Sequence, residues 1–175
     1  MSTLATTLIL VVFPALMLAA AVFDLLSYRI PNWISLALVA AFALAAPMAG
    51  MGLWTAAGHG GAMLLVLGVG MGLFAMGWAG AGDVKLAAAA ALWFGPGDAF
   101  FYILLASVLG GVLSVAILVL RNTPLPAAIA DNGWVMRLRG AERPVPYALA
   151  LAPAGLICLS QSVWMPFLVS GAAIG

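Results

Sequence analysis

Two aspartates that are far apart in the sequence stand in settings that suit acid–base chemistry. Asp24 and Asp83 each follow a long uncharged stretch of chain. Two carboxyl groups that lie close together tend to share one proton, because ionising both is costly. The carboxylate can then activate water while the carboxylic acid polarises a peptide carbonyl, which is the chemistry of an aspartic protease. Each acid could instead mark a helix end or pair with Arg29 or Lys85.

Each aspartate lies in a short motif. The second one stands in Gly80-Ala81-Gly82-Asp83-Val84-Lys85. Glycines ahead of an acid allow a bend and let a substrate backbone approach the carboxyl group. The first one is followed by Arg29-Ile30-Pro31-Asn32, and a proline suits the start of a helix. A Gly-x-Gly-Asp pattern alone is weak evidence in a chain with 20 glycines, but the two motifs together favour a catalytic pair.

The composition places these acids in a membrane protein. Of the 175 residues, 66% are hydrophobic and 6% are charged, whereas soluble domains carry about 25% charged residues. Disordered chains have low hydrophobicity and high charge, so this class is excluded too. A net charge of +1 gives no reason to expect nucleic acid as a partner. The sequence predicts an all-α, polytopic membrane protein with one membrane-embedded domain over residues 1–175.

The charged residues leave five long uncharged stretches. A membrane-spanning helix needs roughly 20 residues, so the stretch over 30–82 holds two helices, with the turn near Pro47, Gly50 and Gly52. We predict helices over residues 4–25, 31–49, 54–78, 84–95, 98–120 and 147–170. The fourth is short for a hydrocarbon core of about 30 Å, so it either crosses the membrane or ends half-buried. The polar stretch over about 121–146 is predicted to be a cytoplasmic loop that either contacts anionic lipid or covers the site.

The basic residues predict the orientation of this bundle. All six of them fall on one side in the six-helix arrangement: Arg29, Lys85, Arg121, Arg137, Arg139 and Arg143. The positive-inside rule places that side in the cytoplasm and both termini on the opposite side. Asp24 and Asp83 then share a depth near the cytoplasmic face.

Three further features carry structural expectations. His59 is predicted to lie at the outer interface. Five tryptophans near predicted helix ends are typical of interfacial positions: Trp33, Trp54, Trp78, Trp93 and Trp164. Small residues along the predicted third helix indicate close helix packing rather than a dimer interface: Gly61, Gly68 and Gly72.

Taken together, the motifs resemble those of the type IV prepilin peptidase family, the membrane aspartyl proteases with a Gly-x-Gly-Asp motif. The family's first motif, an aspartate a few residues before Ile-Pro-Asn, is matched by Asp24, Ile30, Pro31 and Asn32. The second, Gly-x-Gly-Asp-x-Lys, is matched by Gly80, Gly82, Asp83 and Lys85. A Pro-Tyr pair before the last helix is present as Pro146 and Tyr147.

The resemblance implies a function. It implies a six-helix membrane endopeptidase of the bacterial inner membrane, with Asp24 and Asp83 as catalytic residues and the other motif positions, including Arg29, shaping the site. Its partners would be a prepilin or pseudopilin with a hydrophobic N-terminal helix, and membrane lipids. The reaction would remove the short basic leader just ahead of that helix, at the cytoplasmic face.

One departure from the larger members of that family narrows the expectation. Those members carry a cytoplasmic region with paired cysteines between their first two helices, and they also methylate the new N-terminus. This chain has only Leu25 to Pro31 there, and its one cysteine is Cys158. It therefore resembles the short members that serve tight-adherence (Flp-type) pili. We expect no S-adenosylmethionine, no other cofactor and no metal.

Two other classes of function remain open from the sequence. Acids within a membrane also relay protons in small transporters and channel components. Such proteins more often show inverted repeats with broken helices near the membrane centre, and no clear internal repeat is evident here. A catalytically silent subunit of an assembly machine is the third interpretation.

Overall fold

The computed structural model describes residues 3–123 and 145–170, and these residues form helices without any strand. We number the helices in chain order: α1 Thr3–Ser27, α2 Asn32–Met48, α3 Leu53–Ala75, α4 Ala81–Asn122, α5 Ala148–Leu159 and α6 Trp164–Ser170. α1 contains a π-helical stretch over Leu8–Val12. The predicted all-α class is therefore confirmed.

Three of these helices are long and apolar enough to cross a membrane, namely α1, α3 and α4. The two shorter apolar helices, α2 and α5, contribute further to the bundle. These features fit the predicted polytopic membrane protein. The predicted last helix differs in detail, because it is interrupted between α5 and α6. Of the predicted loop over 121–146, residues 124–144 lie outside the described part of the chain.

α4 is folded back on itself at Gly95, where φ is 66° and ψ is −172°. Along a straight helix Gly110 would lie about 40 Å from Asp83. Instead an added side chain at Gly110 would overlap the ring of Tyr147, and that ring lies near enough to Asp83 to interact with its charge. The first arm, 81–94, and the second arm, 96–122, are therefore antiparallel. This break explains why two helices were predicted where one continuous element occurs.

The first arm of α4 is the central element of the bundle. Nearly every side chain from Leu86 to Gly95 is buried, and a helix that is apolar all round belongs in a protein interior. The run Ala87–Ala91 keeps its surface smooth, so neighbouring helices can approach closely. The arm is only about 21 Å long, and its last residues before Gly95 are buried inside the bundle. We call that end, near Gly95, the kink end, and the opposite end, near Asp83, the aspartate end.

His59 stabilises the break in α4. The carbonyl of Leu92 would normally accept a hydrogen bond from residue 96, but Pro96 has no backbone N–H. The Nδ1 atom of His59 lies 2.7 Å from that carbonyl oxygen instead. His59 is 2% exposed and stacks on Phe42. It is therefore buried in the protein, and the predicted interfacial position is wrong.

Two of the five tryptophans are likewise buried rather than interfacial. Trp93 and Trp164 are 0% exposed. The indole N–H of Trp93 donates to the carbonyl of Leu38 at 3.1 Å, and that of Trp164 donates to the carbonyl of Trp93 at 2.7 Å. Both buried donors are thus satisfied within the protein. The remaining three tryptophans are largely exposed, as an interfacial position requires: Trp33, Trp54 and Trp78.

The glycines of α3 pack differently from the prediction. A Cβ atom added at Gly61, Gly68 or Gly72 would find no heavy atom within 4 Å. Close packing occurs instead at Gly70, where a Cβ would lie 2.6 Å from a methyl group of Val84 on α4. Among the described residues, the predicted small-residue face is therefore not a packing face.

Candidate active site

Asp24 lies in the last turn of α1 and is held by the start of α5. Its side chain is 6% exposed, and its Oδ2 accepts a hydrogen bond from the backbone N–H of Ala148 at 2.9 Å. The first N–H groups of a helix have no intrahelical partner and favour a negative charge. α1 ends at Ser27, less than one turn after Asp24, because Tyr28 adopts the left-handed conformation with φ 54°.

Asp83 is the third residue of α4, and its carboxyl group accepts a hydrogen bond from the backbone N–H of Gly80. This is the side-chain half of a capping box, which satisfies a free N–H at the helix start. A Cβ added at Gly80 would lie 2.6 Å from Oδ2 of Asp83. The first glycine of the motif therefore keeps space for the carboxyl group itself.

The structure brings the two aspartates to one cavity. Asp24 and Asp83 both line a space of about 1410 Å³, and their carboxyl groups lie close enough for their charges to interact. Most of the other predicted site residues also line it: Arg29, Ile30, Asn32, Gly80, Gly82, Lys85 and Tyr147. Pro31 precedes the first residue of α2, and Pro146 is buried ahead of Tyr147.

The two motifs contact each other directly. A Cβ added at Gly82 would lie 3.3 Å from Cβ of Ile30, so the second glycine allows the start of α4 to approach the α1–α2 connection. Nζ of Lys85 donates a hydrogen bond to Oδ1 of Asn32 at 3.1 Å. In the described part of the chain Lys85 thus contacts the other motif, rather than neutralising an acid as one interpretation suggested.

A third element completes the site, and it combines the predicted motif position Tyr147 with Gly110, which was not among the predicted site residues. Tyr147 precedes α5 and lies against Gly110 on the second arm of α4. Gly110 is buried, and its missing side chain makes room for the tyrosine ring. The next residue, Ala148, donates the hydrogen bond to Asp24. The Pro-Tyr pair indicated part of this element, whereas a glycine within an apolar helix was the sequence signal for Gly110.

The contact between Gly82 and Ile30 predicts a graded response to side-chain size. Gly82→Leu should lower activity by at least about tenfold, because overpacking a tight contact displaces its neighbours. Gly82→Ala should keep most of the activity, since Ile30 needs to move by only a few tenths of an ångström to make room for the added Cβ. The measurement is substrate turnover at equal amounts of membrane-inserted protein. Equal activity of Gly82→Leu and wild type would contradict a role for this contact.

The arrangement supplies two carboxyl groups at one end of a largely apolar cavity, and paired acids of this kind are suited to hydrolysis of a peptide bond. Among residues 3–123 and 145–170, no group of three or more His, Cys, Asp or Glu side chains is placed to hold a metal ion.

Comparison with known proteins gave one family. The profile of the type IV leader peptidase family matches residues 11–115, which include both aspartates, both motifs and the break in α4. Comparison with curated proteins and with solved structures gave no match. Because the matched region covers more than half of the chain, this membrane protein belongs to the type IV leader peptidase family.

Proposed function

We propose that this protein is an aspartic endopeptidase that removes the short basic leader from type IV prepilins of the Flp type. The observation that carries the proposal is the convergence of two motifs on one cavity, with Asp24 and Asp83 facing the same space. Family membership supports a leader peptidase. The short connection between α1 and α2 supports the Flp-type assignment.

In the proposed reaction one carboxylate takes a proton from water, and the resulting hydroxide attacks the carbonyl carbon of the scissile bond. The other carboxyl group, protonated, donates a hydrogen bond to the carbonyl oxygen. Collapse of the tetrahedral intermediate breaks the C–N bond, and the amine leaves with a proton from an acid group. The hydrogen bonds from Ala148 and Gly80 hold one carboxyl each in place.

Incubation of the purified protein with a full-length Flp-type prepilin tests this function. The expected product has lost a leader-sized fragment, visible as a gel-mobility shift and as a new N-terminus in mass spectrometry. A transporter or a silent assembly subunit would leave the prepilin intact. An unchanged prepilin, under conditions in which the protein is folded, would contradict the proposal.

We further propose that the aspartate end faces the cytoplasm of the inner membrane. Arg29 and Lys85 lie at this end, whereas α1 begins and α6 lies toward the kink end. Reporter fusions after Gly175 and within residues 124–144 should therefore report opposite sides, with the C-terminus periplasmic. A cytoplasmic C-terminus would contradict the proposed orientation.

A further inference from the structure

The cavity that holds both aspartates extends away from them between two helices. Residues between 58 and 73 of α3 line one side, and residues between 96 and 114 of α4 line the other. Leu65 and Phe100 line this space from opposite walls, yet they are 68% and 76% exposed. The cavity is therefore open toward the outer surface of the bundle. We call this region, between α3 and the second arm of α4, the lateral cleft.

The charges of the cavity are confined to its aspartate end. Among the described lining residues the charged ones are Asp24, Arg29, Asp83 and Lys85. Toward the kink end the walls are made of apolar and small side chains, with few hydroxyl groups. Burying a charge or an unpaired polar group against such walls is unfavourable. An occupant should therefore be apolar along its length and polar only beside the aspartates.

The length of the lateral cleft suits a helical segment. From Gly58 to Gly70 the wall extends about 18 Å, at about 1.5 Å per residue, which is the length of about three helical turns. The whole cavity, including the aspartate end, measures about 1410 Å³, so the space is large enough for several residues of a substrate rather than for one side chain.

We infer that the lateral cleft is the docking site for the apolar N-terminal helix of the substrate, which lies between α3 and the second arm of α4. This inference rests on the proposed function and adds to it the walls that hold the substrate. Peptide groups within a helix are hydrogen-bonded to one another. The scissile bond just ahead of the substrate helix therefore reaches the aspartates, while the helix fills the cleft toward the kink end.

Gly61 leaves room for an occupant on the α3 wall of the cleft. It lines the lateral cleft, and a Cβ added there would meet no heavy atom within 4 Å. Its lack of a side chain therefore serves no contact within the described chain, in contrast to Gly70 against Val84. Small residues let two membrane helices approach closely. Gly61 is placed to let the substrate helix approach α3.

Two adjacent phenylalanines offer a matched test by photo-crosslinking. Phe100 lines the lateral cleft, whereas Phe101 is also exposed, at 45%, but points about 100° around the helix. Benzoylphenylalanine replaces either residue in an Asp83→Asn background, which retains uncleaved substrate. The probe is a purified full-length prepilin that the wild-type protein cleaves. We expect the crosslinked prepilin from position 100 to exceed that from position 101 by at least about fivefold.

The outcomes separate this inference from the proposed function. Equal crosslinking from both positions, or more from Phe101, would overturn the docking site while wild-type cleavage leaves the function intact. If the wild type does not cleave any prepilin, both proposals fail. The crosslink requires binding but no turnover, so loss of catalysis does not obscure the result.

A steric pair on the opposite wall gives a second measurement. Gly61→Trp should raise the KM for prepilin by about tenfold or more, because the indole ring occupies the space of the substrate helix. Gly60→Trp is the control, since that residue is also open to an added Cβ but lies outside the cavity lining. Equal KM values for the two variants would contradict the docking site.

Discussion

Asp24→Asn and Asp83→Asn should each abolish prepilin cleavage, by about a thousandfold or more, and the double variant should be no worse than either single one. In the proposed mechanism the two carboxyl groups act as a unit, because one must accept a proton from water and the other must donate to the carbonyl. Removing one member of such a unit loses most of what removing the whole unit loses. An amide keeps the shape of the side chain but does neither task. The measurement is leader removal from a co-expressed prepilin.

Asp98→Asn is the control for this experiment. Asp98 lies just after the break in α4, at the kink end, so its replacement should leave cleavage nearly unchanged. Membrane insertion should survive all these changes, since removing a charge lowers the cost of inserting a helix. Substantial cleavage by Asp24→Asn, together with loss in Asp98→Asn, would overturn the assigned pair.

Gly110→Ala should give the second-largest loss of cleavage activity, although this residue does not belong to either motif. Its added methyl group would overlap the ring of Tyr147, and the residue after that ring holds Asp24. Overpacking of this kind costs about 1–3 kcal/mol, and displacement of Asp24, a proposed catalytic group, adds to the loss of activity. We expect kcat/KM to fall by about a hundredfold. The measurement is the steady-state rate of prepilin cleavage by equal amounts of folded wild-type and variant protein.

The chain offers a matched control in the next residue. Gly111→Ala meets no heavy atom within 4 Å, and alanine favours a helix over glycine by about 1 kcal/mol, so activity should remain. A double-mutant cycle with Tyr147→Ala isolates the contact. Gly110→Ala should be nearly neutral in that background, because the ring that it displaces is gone. Equal damage in both backgrounds would show that Tyr147 is not the reason.

The helices were predictable because hydropathy and charge are properties of consecutive residues. Each predicted helix overlaps an observed one, and the break at Gly95-Pro96-Gly97 lies where two predicted helices meet. The convergence of Asp24 and Asp83 could be anticipated from their shared predicted depth. Their catalytic roles stay predictions until the substitutions above are measured.

The predictions that were wrong concern which neighbouring residue a side chain contacts. By sequence alone, a histidine near a helix end is compatible with an interfacial position and with a buried one. Only the orphan carbonyl of Leu92, created by Pro96, explains why His59 is buried. Likewise, Gly61 and Gly70 are both small residues of α3, yet one faces open space and the other faces Val84. Sequence shows that a residue is small but not what lies opposite to it.

The hydrogen bond between Asp24 and Ala148 joins residues that are synthesised far apart in time. The ribosome adds the first aspartate early and the helix start that holds it only 124 residues later. A nascent chain that has inserted α1 to α4 therefore contains both acids but lacks the donor that orients one of them. Under the proposed function, cleavage should therefore begin only after α5 has packed against α1, and chains that end before α5 should be inactive.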